Sequence, residues 1–138
     1  MIRPTLAVFI LLATAPAYAA PADQTDRALR QCLDDPAHAA TAGQTRCIGV
    51  ATQSYDRRLN AAYRTLLRRL PRPAAAQLRV AQRQWLAFRN ADIGARGAFY
   101  ASRQGTMYVP MQAQGDMQSV RDRALQLEND LRVFQIDE

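Results

Sequence analysis

The sequence predicts an all-α fold, a small antiparallel bundle of three to four helices tied by one disulfide. Three observations predict it. Apolar residues recur at helical spacing along most of the chain. Pro36, Pro71 and Pro73 fall between those stretches and punctuate them. No stretch alternates polar and apolar residues for long enough to make a useful strand. At 138 residues the chain fits one domain and is long enough to bury a real core. An apolar share of 49% with 22% charged residues excludes wholesale disorder.

The N-terminus reads as an export signal. Met1-Ile2-Arg3 is a short basic start, Leu6 to Leu12 is an uncharged apolar run, and Ala17-Tyr18-Ala19 has the A-x-A form of a cleavage site. A membrane anchor needs about 20 apolar residues. Here the run is shorter and meets Pro16, small residues and Pro21. The expected organisation is a signal peptide over residues 1–19, cleaved after Ala19, followed by a single helical domain over 20–138. The product is then periplasmic or secreted and does not span a membrane. In such an oxidising compartment Cys32 and Cys47 read as a disulfide. A reactive thiol would need an activating partner, and His38 is the only histidine.

The mature segment then divides into helices. Asp23 to Leu33 is a short helix stopped by Asp34-Asp35-Pro36. Thr41-Ala42-Gly43-Gln44 has the spacing of a capping box, which predicts a long helix from Ala42 to Leu70, ended by Pro71 and Pro73. Its apolar side is Ile48, Tyr55, Leu59, Ala62, Leu66 and Leu70. Pro73 suits the first turn of a third helix, whose apolar stripe reads Leu78, Ala81, Trp85 and Phe88. Gln82, Arg89 and Asp92 lie within or beside that stripe and need partners. Gly94 and Gly97 weaken the helix toward its end. Ser102 to Gly115 reads as a loop carrying Met107, Tyr108 and Met111. The last helix starts near Asp116 or somewhat earlier, on the stripe Met117, Val120, Ala124, Leu127, Leu131 and Phe134.

The charge is entirely arginine on the basic side, 18 Arg with no Lys, against 12 acidic residues, giving +6. Removal of the signal takes Arg3 with it, leaving +5. Export takes nucleic acid out of the expected partners, so the excess bears on other anions, on proteins or on solubility. Arg57, Arg64 and Arg68, flanked by Arg58 and Arg69, form a stripe opposite the apolar side of the long helix. It is either an anion-binding surface or the solvated face of an amphipathic helix. Catalytic chemistry finds little support. There is one imidazole, no G-x-S-x-G, no phosphate-cradling glycine loop, and no carboxylate pair that sequence can set across a cleft. One His and two Cys also fall short of a four-ligand zinc site. No enzyme activity, metal or cofactor is expected.

Two blocks carry a family resemblance. Tyr55-Asp56-Arg57-Arg58-Leu59-Asn60-Ala61-Ala62-Tyr63, preceded by Cys32 and Cys47, is followed by Ala81-Gln82-Arg83-Gln84-Trp85-Leu86-Ala87-Phe88-Arg89. The pair, D-x-x-L-N-x-x-Y then A-Q-R-x-W-L-x-x-R, resembles the LprI-like lysozyme-inhibitor domain family. Gly105 to Met111 and the helix with Arg123, Ala124 and Leu127 resemble the family's end. The resemblance implies a secreted, all-helical domain that binds and blocks a lysozyme-type cell-wall hydrolase. The chain departs from the family where members often carry a second cysteine pair, and Asn90 stands where an Asp is usual.

Three expectations follow. Cys32–Cys47 should tie the first helix to the start of the second. Asp56 and Arg89 should pair across the second and third helices with Gln82 and Trp85 alongside, making Tyr55, Asp56, Leu59, Asn60, Tyr63, Gln82, Trp85 and Arg89 a folding motif. The partner surface should be the Tyr100–Met111 segment, with Tyr100, Met107, Tyr108 and Met111 as contacts, because exposed aromatics and Met are enriched at interfaces; the alternative is that Tyr100, Met107 and Met111 simply cap the bundle core. A basic lysozyme meets like charge here unless an acidic patch faces it, for which Asp34, Asp35, Asp130, Asp137 and Glu138 are the candidates.

Overall fold

The computed structural model of the chain describes residues 23–136. The expected signal peptide lies outside the described residues, as do Asp137 and Glu138. Helices α1 (Gln24–Asp34), α2 (Thr41–Arg69), α3 (Arg72–Ala101) and α4 (Tyr108–Phe134) account for most of the described chain, with a 3-10 turn at Pro36–His38.

Each boundary has a local cause. Asp23 caps α1, its carboxylate accepting from the Thr25 and Asp26 N–H groups at 2.8 and 3.3 Å. Asp35 does the same for the 3-10 turn, accepting from the Ala37 N–H at 2.9 Å. The expected capping box is not formed at the head of α2. The helix begins one residue earlier, at Thr41, and Ala40 is its N-cap with no side-chain hydrogen bond. Gln44 is then one position too far along to reach back to the cap N–H. Its amide instead donates to the Ala39 carbonyl at 3.0 Å. Gly43 is required where α2 leaves the turn, because a Cβ there would sit 2.6 Å from His38 Cα.

The core is a long pairing of α2 with α4. Ile48, Ala51, Tyr55, Leu59, Ala62 and Leu66 interlock with Met117, Val120, Ala124 and Leu127, as the two stripes require. Leu29 of α1 closes one side. The Cys32–Cys47 disulfide, with Cα atoms 5.8 Å apart, ties the end of α1 to the first turns of α2. His38 Nδ1 stands 3.2 Å from the Cys32 carbonyl oxygen. Cys32, His38 and Cys47 are thus close together, but the two sulfurs are bonded to each other and offer a metal no thiolate.

α3 and the head of α4 differ from expectation. Only Ala75 and Gln82 of α3 are buried, and Leu78 and Trp85 pack partly against the core. Ala81 is exposed and Phe88 is 65% exposed. The helix is rotated so that Gln82 points inward, where it accepts a hydrogen bond from Arg123 Nε at 3.0 Å. α3 also runs through Gly94 and Gly97 to Ala101. α4 starts at Tyr108, so the loop is only residues 102–107. Pro110 does not interrupt α4 because it falls in the first turn, where no backbone N–H is needed. Gly105, at φ 113°, supplies the left-handed step that reverses the chain between α3 and α4.

Candidate protein-docking cleft

The polar groups around Tyr55 fix the three core elements relative to one another. Tyr55 is fully buried. Its hydroxyl lies 2.6 Å from Asp26 Oδ1 and 2.9 Å from Asp23 Oδ1, so one proton serves two carboxylates of α1 and its cap. Arg58 donates to both Glu128 oxygens at 2.7 Å and to Asp23 Oδ1 at 2.9 Å. Arg121 grips Asp26 in the same two-pronged way, at 3.1 and 2.7 Å. The two guanidinium groups stand 5.0 and 6.0 Å from the Tyr55 ring centroid. The network therefore joins α1, α2 and α4 at one point.

Protonation follows from these contacts. The Arg58 hydrogen bond holds the Asp23 carboxyl well below the usual carboxylate range, against the opposing effect of burial. Arg121 does the same for Asp26. Burial, then the two carboxylates, push the Tyr55 hydroxyl far above its ordinary value. Depressed carboxyls stabilise the fold above their unfolded value of about 3.9, and that stability is lost as pH falls through their folded values. Thermal melts should thus show a steep decline below about pH 4. Asp26→Asn, melted across the same range, should flatten that decline.

The expected Asp56–Arg89 ion pair is not formed. Asp56 is exposed on α2 and accepts from Asn60 Nδ2 at 3.0 Å. Arg89 lies over the Trp85 ring at 5.1 Å and reaches Asn90 Oδ1 at 3.4 Å. Its Nε is buried with no hydrogen-bond partner among the described residues. The two residues line a common hollow, as Gln82 and Trp85 do, but α3 stands too loosely against α2 to close the pair. Trp85 is instead flanked by two cations, Arg89 and Arg123. Leu59 is core, and Tyr63 packs against the core's edge. Sequence reasoning missed the groups that do pair: Asp23, Asp26, Arg58, Arg121 and Glu128. A signal was present, since Asp23 and Asp26 share one face of α1's first turn and Arg121 and Glu128 stand two turns apart on one face of α4.

At the end of the bundle where α3 turns into α4, a cleft of about 740 Å³ opens between Leu33, Thr41, Gln44, Ile48, Tyr100, Met107, Pro110, Met111 and Gln114. Three of the four expected contact residues line it. Met107 and Met111 are 61% and 48% exposed, so they present flexible apolar side chains at its rim. Tyr108, the fourth, does not line it but packs its ring 6.3 Å from that of Tyr100. Thr41 donates to the Thr106 hydroxyl at 3.5 Å, which links the head of α2 to the loop. Asp34 and Asp35 follow Leu33 directly and are exposed beside this end. Asp130 does not join them. It lies 19 residues beyond Met111 on α4, roughly 28 Å along the helix.

Comparison with known proteins gives three findings. The family model described as lysozyme inhibitor LprI matches residues 32–127. No curated protein matches. Among solved structures, that of an uncharacterised protein from Burkholderia thailandensis is similar, with 38% identity and a TM-score of 0.75. The match covers 80% of this chain and 54% of that one, so this chain spans about half the length of its structural relative.

Proposed function

We propose a function from one premise: the chain belongs to the lysozyme inhibitor LprI family, matched from residue 32 to residue 127. The family's members are inhibitors rather than enzymes. On our reading, this protein binds a peptidoglycan-cleaving hydrolase in the periplasm or outside the cell and blocks it stoichiometrically. No helix among the described residues is long and apolar enough to cross a membrane.

The observation that carries this reading is the cleft. It pairs an apolar rim, Met107 and Met111, with a tyrosine floor at Tyr100, the composition that favours protein partners. Asp34 and Asp35 beside it give a basic hydrolase a local acidic contact, although the whole chain is positive. The test is loss of turbidity of cell walls under a panel of lysozyme-type hydrolases, with and without the protein. Met111→Asp should weaken protection at least tenfold while the melting temperature holds, because Met111 lies on the surface. Equal protection by wild type and variant would move the contact elsewhere. No protection against any hydrolase would remove the reading.

A second reading has its own observation. From Arg57 to Ala91 the chain contains nine arginines and no acidic residue, and Arg57, Arg64 and Arg68 are exposed. Arg57, Arg64 and Arg68 thus give the α2–α3 hairpin a one-signed stretch suited to anionic wall or lipid groups. Binding of that kind should vanish at high ionic strength, where a dry apolar interface survives. Capture from envelope extract at low and high salt distinguishes the two.

A further inference from the structure

α3 turns outward a face that nothing in the described fold covers. Ala74, Ala81, Phe88 and Ala95 recur every seven residues, and Gln77, Gln84, Ala91 and Ala98 follow each of them by three. All eight are exposed and none is charged. Ala75 and Gln82, which face the bundle, stand across the helix from the seam, and Trp85, partly packed on the core, borders it beside Ala81 and Phe88. A solvated helix face carries charges. An uncharged seam with a seven-residue repeat along a 30-residue helix is the pattern of a helix-to-helix contact.

We propose that this face joins two copies of the chain through antiparallel α3 helices, about a two-fold axis near Leu86. The seam is self-complementary when reversed. Ala74 meets Ala98 of the second copy, Ala81 meets Ala91, Phe88 meets Gln84 and Ala95 meets Gln77, four layers in a single register. Five alanines among the eight residues allow close backbone approach, and no layer opposes two bulky groups. An anionic lipid surface would call for larger apolar groups along the face.

Charge sets the direction. The first half of α3 carries Arg72, Arg79 and Arg83, on the side turned away from the seam, and the second carries Arg89, Arg96 and Asp92, so the first half is the more basic. Antiparallel packing sets each more basic half level with the less basic half of the other copy. Parallel packing would bring both arginine-rich hairpin tips side by side. A helix of this length is ~45 Å long and ~10 Å wide. The footprint is on the order of 450 Å² per copy, a total near the lower limit of specific interfaces at about 1,000 Å². The dimer is therefore concentration-dependent rather than obligate.

Sedimentation equilibrium of the purified protein, across a wide concentration range, tests this. The mass should rise from one chain toward two. Phe88→Glu should raise the dissociation constant at least tenfold with helical content and melting temperature unchanged, since Phe88 is 65% exposed. A single thiol from Gln84→Cys, near the axis, should cross-link between copies through a short bismaleimide, whereas one from Ala74→Cys, at the far end, should not. A mass of one chain at every concentration overturns the proposal, and so does a dimer that Phe88→Glu leaves intact. Cross-linking from Ala74→Cys overturns the antiparallel arrangement. If the protein stays monomeric and Phe88→Glu abolishes binding to anionic vesicles or to a hydrolase, the face belongs to that occupant instead.

Discussion

Arg58→Ala should lower the unfolding free energy by about 3 kcal/mol, the lower end for a shielded pair that loses one member. The side chain is partly screened, 27% exposed, which argues against a larger value. Its removal strands Glu128 and takes one of the contacts from Asp23, leaving α1 fixed at its N-terminal end by Tyr55, Arg121 and the hydrogen bond between the Thr25 and Ser54 hydroxyls. The melting temperature should fall by on the order of 10 °C for a domain of this size. Arg89→Ala is the contrast. No carboxylate pairs with Arg89 among the described residues, so it should cost far less, through lost packing on Trp85. Thermal melts of the two variants side by side read the difference. A larger loss for Arg89→Ala would show that the cation flanking Trp85, rather than the Tyr55 network, secures the fold.

Replacing both cysteines, Cys32→Ser with Cys47→Ser, should cost about 3 kcal/mol on the chain-entropy argument for a separation of 15 residues. Urea unfolding should show a lower midpoint with the α2–α4 core still cooperative. The disulfide holds the C-terminal end of α1 and the Tyr55 network holds the other end. Combined with Arg58→Ala, the loss should therefore exceed the sum of the two, because one end of α1 then has no covalent tie while the other is held by fewer contacts. Simple addition in the same unfolding experiment would mean that the two ends act independently.

The sequence carried some of this architecture openly and some of it in a form that one helix alone does not reveal. The stripes of α2 and α4 were readable because each is large, apolar and buried along its whole length, from Ile48 to Leu66 and from Met117 to Leu127. Cys32–Cys47 was readable from compartment and count. The inward edge of α3 was not, because Leu78, Ala81, Trp85 and Phe88 fit helical spacing equally well whichever edge packs. Gln82 decided it by meeting Arg123, a partner 41 residues away. Pro110 misled in the other direction, because a proline breaks a helix interior but not a first turn. Within the cleft, Tyr100, Met107 and Met111 were legible as apolar groups in a segment without a core stripe. Leu33, Thr41, Gln44 and Ile48 were not, since they reach the cleft only once α1 and α2 are placed beside it.

The pairing of α2 with α4 skips a helix, and this bears on how the chain can vary. Residues 70–107 form an excursion between two core elements, with only Ala75 and Gln82 of α3 sealed against the rest. Closing such a loop is an entropic cost that rises slowly, about 0.6 kcal/mol for each doubling of its length. The tip at Pro71 can therefore gain whole turns on both of its arms while the α2–α4 contact and the Tyr55 network keep their register. Sequence length in this fold is thus cheapest to change in the hairpin tip, far from the cleft.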